Sequence, residues 1–235
     1  MKTSLAQSSQ VFLEYLEGWQ ASLPSLILAE TAPLAQKTAL LCVDVTNGFC
    51  KTGALASPRV GGIVQPVVRL FQAAWHHGIN HIVLLNDNHE PDALEFSAFP
   101  VHGVRGTTEA DPVDEIKNLP FFNHIVIIPK NSVAPGVNTG LAHWMASHPE
   151  VDTYIVTGDC TDICTYQLAI HVKTDANSRQ VPRRVIVPAD CVDTYDRSVE
   201  TARQEGGFPH PGDLLHSIFL YHMALNGIDI VRDIR

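Results

Sequence analysis

Cys164 is the residue whose type and position point most directly to chemistry. It follows an apolar run at residues 153–157 and a short turn, and it lies where a helix is predicted to begin. Thr161 or Asp162 can serve as the N-cap of that helix. A cysteine in a first helical turn feels the positive end of the helix dipole, which favours the nucleophilic thiolate. The alternative is a small apolar residue that packs at the start of a helix.

An acid and a base stand at comparable places in the chain. A cysteine that attacks a carbonyl carbon needs a proton acceptor, a cationic partner and donors for the oxyanion. Asp44 ends one apolar run and Lys130 ends another. If their strands flank the strand before Cys164, both side chains converge on the thiol. An Asp–Lys ion pair that only ties two strand ends together remains the alternative.

A second group has the composition of a metal site. Asp87 and His89 are two residues apart, so in an extended segment they point the same way. His102 can close the group from the following loop, which also contains Glu95. Two histidines and a carboxylate suit Zn²⁺, Fe²⁺ or Mn²⁺ with open coordination positions. Solvated loop residues are the alternative, because Asp-x-His alone is a weak signal.

Strands and helices alternate along most of the chain. An amphipathic helix is predicted at 9–22 and ends near Pro24. Apolar runs predict buried strands at 39–45, 81–86, 124–129, 153–157, 184–188 and 228–232, and helical patterns lie at 62–78, 138–147, 161–173, about 197–204 and 212–226. This rhythm predicts an α/β fold with a doubly wound, mainly parallel six-stranded sheet and helices on both faces. We expect a helical extension at 1–36 and one domain at 37–235.

The predicted fold places the chemically interesting residues together. In doubly wound sheets, sites form at the carboxyl ends of the strands. Those ends carry Asp44, Asp87, Lys130, the turn before Cys164, and Asp190.

The long connection at 87–122 has one helical signal, at 111–118, with Asp111 as N-cap and Pro112 in the first turn. Its aromatic and aliphatic residues predict a loop that is ordered over the site.

Charge and composition exclude some classes of function. The net charge of −9 argues against nucleic acid as a partner, because no basic run offers phosphate contacts. No membrane span and no signal peptide are apparent. The five cysteines are odd in number and sit mostly at apolar positions, so free thiols in a reducing cytoplasm are expected.

Five segments together resemble one known family. They are 43–49, 87–89, 100–107, 129–130 and 158–164, and they are similar to motifs of the isochorismatase-like cysteine hydrolases, the nicotinamidase subgroup in particular. Gly158-Asp-Cys-Thr-Asp-Ile-Cys164 is the most specific of them. The resemblance implies a Rossmann-like three-layer fold. It also implies hydrolysis of a small carboxamide, with nicotinamide converted to nicotinate and ammonia through a thioester.

The resemblance also implies roles for individual residues. Asp44, Lys130 and Cys164 would form a catalytic triad. The Asp159–Cys160 peptide would be cis, and the N–H groups of Cys160 and Cys164 would form the oxyanion hole. One divalent ion would be held by Asp87, His89 and His102, with Glu95 as a further ligand, and would bind a pyridine nitrogen while Phe49 lies against the ring. A homo-oligomer, a dimer or tetramer, is expected.

Several departures leave the amide's identity open. Asn88, Thr46, Cys160 and the Asn131-Ser132 pair differ from the residues usual in nicotinamidases. A metal-free family amidase acting on an N-carbamoyl or ureido substrate is one alternative, and a non-catalytic binding member is another. Isochorismatase proper is disfavoured, because it manages without the nucleophilic cysteine.

Overall fold

The computed structural model describes residues 4–235, and a parallel β-sheet lies at its centre. The strands are β1 (Ser25–Leu26), β2 (Thr38–Val43), β3 (His81–Asp87), β4 (Val126–Lys130), β5 (Thr153–Asp159), β6 (Arg184–Pro188), β7 (Val192–Asp193), β8 (Asp229–Val231) and β9 (Asp233–Ile234). The central sheet has the order β4-β3-β2-β5-β6-β8, with every pairing parallel. These six strands are the predicted ones. A seventh strand, β7, was not predicted, and it pairs with the end of β5.

Helices cover both faces of this sheet. They are α1 (Leu5–Ala21), α2 (Leu28–Thr31), α3 (Asn47–Cys50), α4 (Pro58–Gly62), α5 (Val64–His77), α6 (Asp114–Lys117), α7 (Leu141–Ser147), α8 (Cys164–Arg179), α9 (Val199–Glu205) and α10 (Gly212–Leu225). Short 3-10 turns lie at Ala35–Lys37, Leu94–Ser97, Thr108–Ala110, Phe122–His124 and Ala189–Cys191.

Two apolar cores lie on opposite faces of the sheet. All six residues of β2 are buried, as expected for a strand covered on both sides. Leu40 belongs to the core beneath α5, where Phe71 is fully buried. Leu41 points the other way, into the core beneath α8, together with Leu168. This alternation confirms the doubly wound α/β fold.

The two ends of the chain pack on one another. Trp19 of α1 makes an edge contact with Tyr221 of α10, with ring centroids 5.2 Å apart. β1 pairs in parallel with β9, and the N–H of Leu28 donates to the carbonyl of Arg235 at 2.6 Å. The amino-terminal segment and the carboxyl-terminal helix and strand therefore support each other.

Four predicted helix starts differ from the structure by three or four residues. α1 begins at Leu5 rather than 9, and α7 begins at Leu141 rather than 138. α8 begins at Cys164 rather than 161, and its N-cap position is Ile163, with no side-chain cap. α6 begins at Asp114, with Val113 as N-cap, so Asp111 and Pro112 lie outside it. The reason is that Pro112 forms an antiparallel bridge with Thr46, which holds that stretch extended.

No helix within residues 4–235 is both long enough and apolar enough to cross a bilayer.

Candidate active site

Three elements bring Asp44, Lys130 and Cys164 together. Asp44 follows β2, Lys130 ends β4 and Cys164 begins α8. Lys130 Nζ lies 2.7 Å from Asp44 Oδ2 and 3.6 Å from Cys164 Sγ. All three residues are at most 5% exposed. The predicted convergence of an acid and a cation on this thiol is present in the fold.

Gly158 allows the Cys164 turn to approach β2. Its φ is +115°, in the region that favours glycine, and an added Cβ would lie 1.9 Å from the carbonyl oxygen of Val43. Any side chain at residue 158 would push β5 away from the strand that ends next to Asp44. The glycine of the motif is therefore required by packing.

Burial sets the charge state of the acid. Desolvation and the neighbouring charge of Asp87 raise the pKa of Asp44 to about 7, against the opposing effect of Lys130. Burial alone would lower the pKa of Lys130, but Asp44 and Asp87 hold it well above its ordinary value. The site thus contains a fixed ammonium next to a carboxyl that titrates near neutrality, which is the range required of an acid–base catalyst.

Burial opposes the thiolate form that the sequence predicted for Cys164. Burial raises the pKa of Cys164 well above its ordinary value, Lys130 opposes this, and the charges of Asp44 and Asp87 add to it. Burial and two nearby carboxylates therefore act against the thiolate that the helix start favours. A nucleophilic role for this thiol would need a nearby group that accepts its proton.

The turn between β5 and α8 combines an unusual peptide bond with the free N–H of a helix start. The peptide bond from Asp159 to Cys160 is cis. The carbonyl of Cys160 accepts hydrogen bonds from the N–H groups of Ile163 and Thr165 at 3.0 and 3.1 Å. Cys164 is the first residue of α8, so its own N–H has no acceptor within the helix.

The two residues predicted as caps have other partners. Thr161 Oγ1 lies 2.9 Å from His216 Nδ1, and Asp162 Oδ2 lies 2.8 Å from His210 Nε2. Asp159 is fully buried, and burial together with the charge of Asp44 raises its pKa well above the ordinary value. Burial thus favours the neutral form of Asp159 over the charged one.

Asp87, His89 and His102 form a compact group of buried potential metal ligands. One ligand atom from each lies within 4.8 Å of the others. His89 Nε2 is 3.1 Å from Asp87 Oδ1, and His102 Nε2 is 3.5 Å from Asp87 Oδ2. Lys130 Nζ lies 2.5 Å from Asp87 Oδ1, so this group and the triad share one ammonium.

The hydrogen bonds of the two histidines fit a metal. His89 Nδ1 lies 2.9 Å from Asn131 Oδ1, and His102 Nδ1 lies 2.7 Å from the carbonyl of Pro100. Each Nδ1–H donates to an oxygen, which leaves the Nε2 lone pairs facing Asp87. His89 Nε2 is buried and has no hydrogen-bond partner. Such a tautomer fixed from behind is typical of metal-binding histidines.

Glu95 lies at the border of this group. Its Oε1 is 3.8 Å from His89 Nε2 and has no hydrogen-bond partner, while Oε2 accepts from the N–H of Val133 at 3.1 Å. It is not among the three residues whose ligand atoms lie within 4.8 Å of one another.

Aromatic side chains enclose the two histidines. Phe96 contacts His89 and His102 at centroid distances of 5.3 and 5.6 Å, and Phe99 lies 6.2 Å from His102. Phe49 contacts His102 edge-on at 5.6 Å and is 8% exposed. The connection at 87–122 is therefore ordered over the site, as predicted.

Sequence reasoning missed some residues of this region and included one that lies outside it. Asn131, whose side chain contacts His89, is in sequence terms a departure from a motif, although its position directly after Lys130 offers a signal. His210 and His216 lie far away in sequence, and no local pattern marks them. Asp190 is exposed, and its backbone N–H bonds to the carbonyl of Arg232 rather than joining the cluster.

Comparison with known proteins identifies the family. The model of the isochorismatase domain matches residues 38–207, which is most of the chain. This protein belongs to the isochorismatase family. No curated protein sequence matches it.

Solved structures resemble this isochorismatase-family member at low sequence identity. N-carbamoylsarcosine amidase from Thermoplasma acidophilum is 24% identical with a TM-score of 0.61, covering 83% of this chain and 96% of its own. The pyrazinamidase/nicotinamidase of Streptococcus mutans is 21% identical with a TM-score of 0.66, covering 83% and 99%. Pyrazinamidase of Pyrococcus horikoshii, crystallised in complex with zinc, is 24% identical with a TM-score of 0.66, covering 83% and 99%. At these identities the likeness concerns the fold.

Proposed function

We propose that the protein is a cysteine amidohydrolase that releases ammonia from a small carboxamide, with nicotinamide the preferred substrate. The observation that carries the proposal is the position of Lys130. Its ammonium contacts Asp44, lies within 3.6 Å of the Cys164 sulfur, and contacts the potential metal ligand Asp87. One buried cation thus joins a nucleophile, an acid–base group and a substrate-binding group.

Acylation begins with a proton transfer. Asp44 accepts the thiol proton as Cys164 Sγ attacks the carboxamide carbon, and the carbonyl electrons move onto its oxygen. Backbone N–H groups of Cys160 and Cys164 stabilise that oxyanion. The tetrahedral intermediate collapses, Asp44 returns the proton to the nitrogen, and ammonia leaves with a thioester remaining on Cys164.

Deacylation uses the same groups in reverse. Asp44 accepts a proton from water, whose oxygen attacks the thioester carbon, and the thiol leaves with that proton to regenerate the enzyme. A carboxyl with a pKa of about 7 is suited to both directions, because neither protonation state is strongly disfavoured. Lys130 stays charged throughout and stabilises the anionic forms of its neighbours.

Asp87, His89 and His102 would hold one divalent ion, with Glu95 as a candidate further ligand. When bound, the ion supplies a Lewis-acidic coordination position that a pyridine nitrogen can occupy. Phe49, next to His102, offers an apolar surface to a flat ring. These features favour a heteroaromatic carboxamide over an aliphatic one.

A metal-free amidase acting on N-carbamoyl or ureido compounds is the second candidate. The similarity in fold to an N-carbamoylsarcosine amidase favours it. The geometry of His89 and His102 argues against this candidate. Their buried Nε2 atoms face the carboxylate of Asp87, and hydrolysis of a carbamoyl or ureido compound does not need this arrangement. A purely binding role is disfavoured by the intact Asp44, Lys130 and Cys164.

The five buried free thiols suit a reducing compartment, and we include a cytoplasmic location and a homo-oligomer in the proposal.

Ammonia release over a panel of amides tests the proposal. The panel contains nicotinamide, pyrazinamide, N-carbamoyl amino acids and ureidoacrylate. We expect turnover of the first two. Turnover confined to carbamoyl or ureido compounds would favour the second candidate, and no release from any member would contradict amidase function.

A further inference from the structure

Two histidines of the carboxyl-terminal segment hold the turn that leads into α8. His210 Nε2 lies 2.8 Å from Asp162 Oδ2, with both side chains at most 10% exposed. His216 Nδ1, from α10, lies 2.9 Å from Thr161 Oγ1. Asp162 and Thr161 stand between Cys160 and Cys164, whose N–H groups are the proposed oxyanion donors. The two contacts therefore fix the outer side of that turn.

The partners of His210 determine its protonation state. Nδ1 lies 2.8 Å from the carbonyl oxygen of Tyr195, which can only accept a hydrogen bond. Nε2 faces the carboxylate of Asp162, also an acceptor. Both ring nitrogens must therefore donate, and His210 is an imidazolium. Burial lowers the pKa of His210, but the hydrogen bond and charge of Asp162 outweigh it, so the net pKa is raised.

The backbone around His210 is equally well fixed. His210 and Arg197 exchange two backbone hydrogen bonds of 2.8 Å in an antiparallel bridge. The ring of Tyr195 stacks on the imidazole with centroids 3.7 Å apart. The groups that face His210 are thus Asp162 from the turn, Tyr195, and the segment of Arg197. These contacts fix the imidazole of His210, which can therefore hold the carboxylate of Asp162 in one position.

We propose that His210 is a positioning residue for the amidase reaction, acting through Asp162 to hold the oxyanion-binding turn, with His216 supporting Thr161. The inference rests on the proposed function. We call the contacts His210–Asp162 and His216–Thr161 the histidine clamp. Both histidines lie beyond residues 38–207, which match the family domain, so the part of the chain outside that match supplies the clamp. It also explains why Thr161 and Asp162 do not cap α8.

Loss of the clamp affects the transition state more than substrate binding. The oxyanion forms only after attack, so a displaced turn weakens stabilisation of the intermediate and leaves the ground-state contacts in place. A misplacement of about 1 Å at such a group costs on the order of 100-fold in rate. We therefore expect His210→Ala to lower kcat for nicotinamide by about 10- to 100-fold, with KM little changed.

Matched variants separate positioning from general loss of stability. His222→Ala is the control, because His222 lies on α10, is exposed, and contacts Tyr166 rather than the turn. It is expected to keep wild-type kcat. The double variant His210→Ala/Asp162→Ala is expected to have a kcat no lower than that of the slower single variant, because both substitutions remove the same contact. If His210→Ala fails to fold, His210→Gln, which keeps one donor, takes its place and is expected to show a smaller loss.

Nuclear magnetic resonance and amide exchange test the clamp without any turnover. Nitrogen shifts should show both ring nitrogens of His210 protonated at neutral pH. Amide exchange of residues 160–164 should be faster in the metal-loaded His210→Ala protein, with β2 and β5 unchanged. Equal kcat in the His210 and His222 variants, or an unprotonated His210 nitrogen at neutral pH, would overturn the inference. Wild-type protein that hydrolyses no amide would contradict the proposed function, while the shifts and exchange would still decide the clamp.

Discussion

Lys130 is the residue on which the geometry of the site depends. Its buried ammonium lies 2.7 Å from Asp44 and 2.5 Å from Asp87. A buried charge costs several kcal/mol unless it is paired, and two carboxylates pair this one. The same amine lies near the sulfur of Cys164. Cys164 and the potential metal ligands are therefore electrostatically linked, and a change of charge at one should shift the pKa of the other.

The prediction of a bound metal ion is tested most directly at His89. We expect one divalent ion per chain in the purified protein, and we expect His89→Ala to lose it, because its unpaired Nε2 faces Asp87. Elemental analysis of both proteins measures this. His143→Ala, an exposed histidine on α7, is the control and should keep the ion. Full activity of the wild type after chelation, with no bound ion, would assign the protein to metal-free chemistry.

The ring nitrogen of the substrate provides a second test. Nicotinamide and pyrazinamide each offer a nitrogen that benzamide lacks, although the three rings have similar shapes. A site that leaves one polar partner unmatched loses about 1–3 kcal/mol, so kcat/KM for benzamide should be about 5- to 150-fold lower. Steady-state ammonia release measures the ratio. Equal kcat/KM for nicotinamide and benzamide would refute recognition through a metal.

At the scale of elements, the contact between β2 and β5 positions the turn that leads to Cys164. Gly158→Ala places a methyl group 1.9 Å from the Val43 carbonyl at a φ of +115°. We expect it to lower the free energy of unfolding by on the order of 4 kcal/mol, from backbone strain and overpacking together. Denaturant titration measures the change.

Gly18→Ala is the matched control for that variant. Gly18 lies within α1, and an added Cβ meets nothing within 4 Å. The substitution should raise stability by about 0.5–1 kcal/mol, because alanine favours helix. If the two substitutions changed the free energy of unfolding similarly, the close approach of β2 and β5 would not contribute to stability.

Sequence patterns predicted the main elements because each rests on local information. The apolar runs around Leu40 and Ile155 are strands that are buried on both faces, and their short length distinguishes such runs from buried helices. The start of α8 was misplaced because Thr161 and Asp162 bond to His216 and His210, partners about fifty residues away. Capping rules cannot detect such contacts.

The site was predictable to the extent that topology determines it. Asp44, Asp87 and Lys130 end neighbouring parallel strands, so the fold alone brings them to one edge of the sheet. The raised pKa of Cys164 was not predictable, because it comes from burial and two carboxylates, and burial becomes visible only in three dimensions.

At the scale of the whole molecule, the packing of the two chain ends leaves an aromatic surface. Phe12 and Tyr15 of α1 lie against Tyr221 and remain 40% and 55% exposed. We predict a homo-oligomer that uses this surface. Light scattering at micromolar concentration should report a multiple of the 25.7 kDa chain mass, and Phe12→Ser/Tyr15→Ser should reduce it. A wild-type particle of one chain mass would contradict this.

The central claim is that Cys164 forms a covalent thioester with a carboxamide substrate. Acid quenching during turnover of nicotinamide, followed by peptide mass spectrometry, tests it most directly. We predict an acyl group on the peptide that contains Cys164, with no adduct and no ammonia release in Cys164→Ala. Cys191→Ala, which removes another buried free thiol, should behave as wild type. Ammonia release that persists in Cys164→Ala would contradict the account.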